Sequence, residues 1–161
     1  MKPPAALPCV LVDSREKLHV GRHFTPAVTF ELGVTLHTGD YSLRGHSVDC
    51  AWERKSLADL VMSISSERER FQNCVRRLAS YRYRALLVEA TRDQVYAHAY
   101  RSLTTPQSVI GSTRSFLSDY NVATVWCGDA RGVAAEIEWL ALRVTKLEKR
   151  RGELKMKGVE V

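Results

Sequence analysis

Gly39-Asp-Tyr-Ser-Leu43, a short gap, and then Glu53-Arg-Lys-Ser-Leu-Ala-Asp59 is the stretch that decides how this chain is read. Asp40 sits in a Gly-Asp turn just ahead of Tyr41-Ser-Leu43, and Glu53 and Lys55 close the apolar-leaning run Val48 to Trp52. On a strand, residues i and i+2 share a face. Glu53 and Lys55 therefore project together and Arg54 the other way. If the two strands are neighbours, Asp40 meets Glu53 and the two carboxylates form a hard-oxygen pair suited to Mg²⁺ or Mn²⁺. Lys55 beside them is placed to orient a water or to offset charge on a phosphate under attack. Glu-x-Lys by itself is also what a solvent-facing strand shows, so the triplet alone does not separate catalysis from surface polarity.

Motifs around that core narrow the reading. The segment Glu53-Arg-Lys-Ser-Leu-Ala-Asp59-Leu60 resembles the Glu-Arg-Lys-x-x-x-Asp signature of the XPF-type structure-specific endonucleases. Val12-Asp-Ser-Arg-Glu16 is similar to that family's opening Val-Asp-x-Arg-Glu, and Gly39-Asp-Tyr41 to its Gly-Asp-Tyr. Arg70-Phe71 with the helix that follows, and Ala85-Leu-Leu-Val-Glu89, resemble the stretch after the signature. The pieces run in the family's order over about residues 9 to 127.

The resemblance implies an α/β fold with a restriction-endonuclease-like core, a central mixed sheet flanked by helices. It makes Asp40, Glu53 and Lys55 the Asp…Glu-x-Lys set. It implies that Asp13, Arg15 and Glu16 border the site, with Asp13 a further candidate metal ligand, Arg15 a candidate DNA contact and Glu16 a supporting residue. It makes Asp59 a site residue that orients Lys55 or a metal-bound water, where dipole matching at a helix start is the simpler account. Asp13 and Asp59 could also admit a second metal. Arg54 belongs to the signature and so to the catalytic candidates. Its side chain should nevertheless face away, and the only role suggested for it is an ion pair bracing the strand. The implied activity is metal-dependent hydrolysis of DNA phosphodiesters at branched, forked or flapped DNA in repair or recombination. Three rivals stand beside it: a junction resolvase or exonuclease of the wider restriction-like superfamily, a non-catalytic DNA-binding or scaffold subunit of a nuclease pair, and a basic interaction protein with no nucleic-acid role.

Composition is consistent with this. At 161 residues, 45% hydrophobic and 26% charged, the chain can build one globular domain with a real core. A net charge of +6 favours a polyanionic partner, nucleic acid or an anionic membrane surface. No run approaches the roughly 18 apolar residues of a membrane span. The Pro-broken N-terminus lacks a signal-peptide core. An intracellular protein of cytoplasm or nucleoid, neither secreted nor membrane-bound, is expected. Cys9, Cys50, Cys74 and Cys127 are far apart and form no Cys-x-x-Cys, so buried reduced thiols are expected rather than zinc.

The expected organisation is a lead-in over 1–8, a nuclease domain over 9–150 and a basic tail over 151–161. Cys9 to Val12 reads as a buried strand ending at Asp13. Phe24, Val28, Phe30 and Leu32 alternate as in a strand, but Pro26 interrupts them. His19 and His23 have helical spacing without a zinc-protease Glu, so no metal is assigned to them. Val34 to His37, Tyr41 onward and the run to Lys55 are predicted strands, forming a meander into the site. Ser56 caps a predicted helix Leu57 to Ile64. Ser66-Glu-Arg-Glu69 reads as a capping box that starts a helix to about Tyr81. Its arginines include Arg68 and Arg70, the first choices for DNA phosphate contacts. Tyr83 to Ala90 reads as a buried parallel strand, Thr91 to Tyr100 as a short helix or loop, and Pro106 to Tyr120 as a helix. Val122 to Trp126 reads as a last strand, and Arg131 to about Arg150 as a long helix with a wide apolar stripe. That stripe suits a homodimer or a nuclease partner subunit. Members of the family usually carry paired helix-hairpin-helix modules, for which no room is left after Trp126, so a stand-alone nuclease domain is expected. DNA with single-strand/double-strand junctions is the expected partner.

Overall fold

The computed structural model describes residues 6–158; the first five residues of the lead-in and the last three of the tail lie outside the described residues. Six strands form one mixed sheet: β1 (Cys9–Asp13), β2 (Thr29–Val34), β3 (Tyr41–Leu43), β4 (Cys50–Ser56), β5 (Tyr83–Glu89) and β6 (Thr124–Trp126). Their order is β2-β1-β3-β4-β5-β6. β1 runs parallel to β2 and antiparallel to β3, β3 is antiparallel to β4, and β4, β5 and β6 are mutually parallel. The helices are α1 (Leu57–Ile64), α2 (Arg68–Ala79), α3 (Arg92–Tyr96), α4 (Pro106–Tyr120) and α5 (Ala130–Met156), with a 3₁₀ turn at Val20–His23.

Strand parity builds two cores. Ala51, Leu86 and Val88 face α1, α2 and α4 and pack with Leu60, Val61, Phe71, Val75, Val109 and Phe116. Val10, Val12, Tyr41, Leu43, Cys50, Trp52, Ala85 and Leu87 face the other way and pack with Val133, Ile137, Ala141 and Val144 of α5. Phe71 and Phe116 meet edge to face at 5.4 Å between ring centroids. Because Ala51 faces the α1–α2 side, Glu53 and Lys55 must emerge there too, and Arg54 must emerge with Trp52 on the α5 side.

Several predicted elements shift. Of the expected meander the antiparallel β3–β4 pair forms, but the other neighbour of β3 is β1 rather than the 34–37 segment. Val34 to His37 is not a strand: β2 ends at Val34, and the Leu36 N–H donates instead to Asp13 Oδ2 at 2.8 Å. That bond draws the chain off the sheet and toward Asp40. The capping box at Ser66 is absent, since Ser66 Oγ and the Glu67 N–H both donate to the Met62 carbonyl, closing α1 rather than opening α2. Thr91 and Gln94 do form a reciprocal capping box at the start of α3. α1 has the expected bounds and cap, with the Asp59 N–H donating to Ser56 Oγ. α5 runs on past Arg150 to Met156. All four cysteines are free, but only Cys50 is fully buried.

Gly39 fixes the approach of the Asp40 turn. Its φ is +81°, and a Cβ there would lie 3.0 Å from the Trp52 carbonyl oxygen and 3.1 Å from the Trp52 nitrogen. Neither backbone group can retreat without breaking the Asp40 N–H bond to the Trp52 carbonyl. Gly39→Ala is therefore expected to cost about 1–3 kcal/mol, read as a lowered urea midpoint at an unchanged m-value.

Candidate active site

Asp40 and Glu53 come from adjacent antiparallel strands. Tyr41 pairs with Trp52, so Asp40 stands one step beyond the ladder on one strand and Glu53 one step beyond on the other. The Arg54 N–H donates to Asp40 Oδ2 at 2.8 Å and locks the carboxylate over the end of β4. Glu53 and Lys55 share a face as parity requires, with Lys55 Nζ 3.4 Å from Glu53 Oε1. The ammonium also lies 5.3 Å from the Phe71 ring centroid, within range of a cation–π contact.

These side chains line one cavity of about 410 Å³ at the carboxyl end of β4. α1 contributes Asp59, Met62 and Ser63, and α2 with its N-cap Glu67 contributes Arg70, Phe71, Cys74 and Arg77. The α2 set falls at helical spacing, so one face of that helix forms the cavity wall. Arg15, His37 and Thr38 complete the rim.

The sequence candidates divide cleanly. Asp40, Glu53, Lys55, Asp59, Arg15 and Arg70 line the cavity; Asp13, Glu16, Arg54 and Arg68 do not. Asp13 is a clamp. Its carboxylate accepts from the Arg15 backbone N–H, Arg15 Nε and Nη2, and the Leu36 N–H, so both oxygens are engaged. Burial raises the Asp13 carboxyl, but the hydrogen bonds from Arg15 and Leu36 prevail and hold it below its ordinary value. Arg54 projects to the opposite face, where it pairs with Glu16 and Glu89. Arg68 lies on another wall of α2, beside Ser112, Ser115 and Phe116. Asp59 accepts from Ser56 Oγ at 2.7 Å, and Lys55 pairs with Glu53 rather than with it. Arg77, one of the basic residues of the same helix, also lines the cavity, and the sequence signal for it is that it follows Arg70 by two helical turns.

Electrostatics mark the carboxylate pair. Burial, then the charge of Glu53, raise the Asp40 carboxyl to about 7 against the bond from the Arg54 N–H. Cys74 is pushed up to about 12 by burial and by Glu53, so its thiol keeps its proton and is no nucleophile. The raised Asp40 has a stability consequence. The folded state holds that proton more tightly than the unfolded chain, so stability falls as pH rises from about 4 through 7. Asp40→Asn keeps an acceptor for the Arg54 N–H and removes the repulsion. We expect it to be more stable than wild type by about 2 kcal/mol at pH 8 in EDTA, roughly 4–8 °C in Tm. The difference should vanish toward pH 4, and a Tm gap that does not narrow on acidification would refute this account.

The donor set fits a divalent cation. Two carboxylates in mutual repulsion are relieved by positive charge, and Mg²⁺ is ordinarily held by one or two carboxylates with water and phosphate filling the other positions. Among the described residues no group of three or more His, Cys, Asp or Glu side chains is arranged to hold a metal.

Comparison with known proteins agrees with this architecture. A family model described as the ERCC4 domain matches residues 12–138. The fold is similar to that of XPF from Aeropyrum pernix, with 25% identity and a TM-score of 0.70, covering 92% of this chain and 71% of that one. It is also similar to XPF from Aeropyrum pernix in complex with DNA, with 27% identity and a TM-score of 0.66, covering 86% of this chain and 66% of that one. No curated protein sequence matches. The mixed sheet with helices on both faces is the restriction-endonuclease-like α/β core expected from the sequence. Among the described residues no helix is long and apolar enough to cross a membrane.

Proposed function

The chain belongs to the ERCC4-domain family, and from that premise we propose that it is a metal-dependent endonuclease cleaving DNA phosphodiesters at branched, forked or flapped structures. The observation that carries the proposal is the Asp40–Glu53 carboxylate pair with Lys55 beside it in a cavity walled by Arg70 and Arg77. That combination suits a polyanionic substrate attacked at phosphorus. A protein-binding module has no need to hold two carboxylates in repulsion at the floor of a cleft whose walls carry Arg15, Arg70 and Arg77.

Asp40 and Glu53 would hold Mg²⁺ or Mn²⁺ through one oxygen or both. When bound, such a cation supplies Lewis-acid polarisation of the phosphate and a more acidic water. The chain's own residues do the rest. Lys55 extends its ammonium beside Glu53, where it orients the attacking water and offsets charge on the phosphate oxygens. Arg77, and Arg70 once it turns from Glu67 at 3.3 Å, would donate to the flanking phosphates, for which the guanidinium fork is well shaped. Arg15, its Nε and Nη2 held by Asp13, stands at the rim as a fixed cation. Asp59, in the first turn of α1 and bonded to the Ser56 cap, borders the entrance.

Pairing of two nuclease domains, or with a partner subunit, is part of the proposal. On α5, Trp139 and Leu142 are 58% and 44% exposed and form an apolar strip. Cleavage of end-labelled forked, flapped, nicked and plain duplex DNA with Mg²⁺, Mn²⁺ or EDTA tests the reading. Cutting that needs the cation and favours branched substrates is expected. DNA binding without cutting under any cation would leave a scaffold subunit instead.

A further inference from the structure

A second groove opens beside the active-site cavity and is not used by the mechanism above. It measures about 550 Å³ and lies between α1 and the loop joining α3 to α4, lined by Val61, Met62, Ser65, Tyr100, Arg101 and Ser102. Asp59 and Met62 line both spaces, so the groove begins where the active-site cavity ends. Its loop wall is built rather than slack. His98 takes a positive φ of 54°, and its Nε2 lies 2.7 Å from the Ser102 carbonyl. The His98 and Tyr100 rings stack at 4.3 Å, and the Tyr100 hydroxyl donates to the Thr104 carbonyl at 2.8 Å. Two side chains stand out from this frame. Leu103 is 100% exposed. Arg101 is exposed, and among the described residues it forms no ion pair.

We infer that this groove takes the unpaired strand of a DNA junction as it leaves the cleavage site, and that the 98–104 loop is what favours a single-strand/double-strand junction over plain duplex. Single strands are held where apolar or aromatic faces meet bases and a cation meets the backbone. Met62 and the side of Tyr100 away from His98 supply the apolar and aromatic surface, Ser65, whose hydroxyl proton is held by the Val61 carbonyl, offers an acceptor oxygen, and Arg101 supplies the cation. Leu103 follows the lining residue Ser102 in the chain and is fully exposed, so it is available to wedge a base step apart.

The inference rests on the proposed cleavage site, so two readouts separate them. The first is independent of cutting. Fork DNA with 5-iodo-2′-deoxyuridine at each of the first unpaired positions is irradiated with the protein in EDTA, and the crosslinked peptides are mapped. Crosslinks to Tyr100 or Met62 are expected, falling about tenfold in Ser102→Trp, which fills the groove, and in Arg101→Glu. The second is the ratio of cleavage rates for a fork and for the matching nicked duplex, expected to fall about tenfold toward unity in both variants. Arg101 is exposed, so Arg101→Glu keeps the test alive if the Trp variant folds poorly. Crosslinks elsewhere, or an unchanged ratio, would overturn the groove assignment. Wild type that crosslinks at Tyr100 but cuts nothing would overturn the nuclease reading and leave the groove standing.

Discussion

Lys55→Ala is expected to slow metal-dependent cleavage about 10³-fold while leaving Mn²⁺ binding in place. The two effects separate because Lys55 is a cation and cannot ligate the metal, yet its ammonium lies 3.4 Å from Glu53 Oε1 and faces the cavity. Its loss removes charge stabilisation that grows as the phosphate is attacked, which lowers kcat. It also frees the Glu53 carboxylate, which does not weaken the metal site. Glu53→Gln gives the complementary result, with cleavage and Mn²⁺ binding lost together. Lys55→Arg should recover only part of the rate, since a planar fork cannot replace a compact point charge at one position. Single-turnover cleavage and Mn²⁺ titration by calorimetry read both quantities. A Lys55→Ala protein that cuts at the wild-type rate would remove Lys55 from the chemistry, and with it the assignment of the Asp…Glu-x-Lys set.

Much of this site was legible because its rules are local. The i, i+2 parity of Glu53 and Lys55 and the turn geometry of Gly39-Asp40 need only a few residues of context. Even the opposite projection of Arg54 follows from parity. The features that escaped are set by non-local contacts. Sheet order is one, because nothing in Cys9–Asp13 says that it pairs with both Thr29–Val34 and Tyr41–Leu43. The role of Asp13 is another. Read alone, it is one more acid near a strand end. In the structure three hydrogen bonds hold Arg15 to it, and a fourth, from the Leu36 N–H, ties the end of β1 to the 35–38 segment that leads into Asp40. Ser66 escaped because two helix ends compete for the same hydroxyl, and the Met62 carbonyl wins. Which arginines of α2 face the cavity depends on how the helix is rotated against the sheet: Arg70 and Arg77 line it, and Arg68 stands beside Ser112, Ser115 and Phe116.

Arg54 is where sequence signature and chemistry come apart, and it carries the largest stability prediction. Its side chain is 14% exposed and sits between Glu16 at 11% and Glu89 at 23%. Nε donates to Glu89 Oε2 at 3.0 Å, and Nη1 to Glu16 Oε1 and to the Leu18 carbonyl, both at 3.2 Å. One guanidinium therefore joins the segment after β1, the end of β4 and the end of β5. Arg54→Ala leaves two partly buried carboxylates without a counter-charge. A loss of about 3–5 kcal/mol is expected, roughly 10 °C in Tm. Arg54→Lys should recover a minor part, since one ammonium cannot span both acids. The triple change Arg54→Met, Glu16→Gln, Glu89→Gln should recover most of it, because the penalty is the uncompensated charge and not the lost contact itself. The Arg54 N–H that holds Asp40 belongs to the backbone and survives all of these changes. Cleavage per folded molecule should consequently stay close to wild type at low temperature. An Arg54→Ala protein that melts normally and cuts nothing would return Arg54 to the catalytic set. One that melts early and still cuts makes it the brace that keeps β4 in register, so that Glu53 and Lys55 meet Asp40 at all.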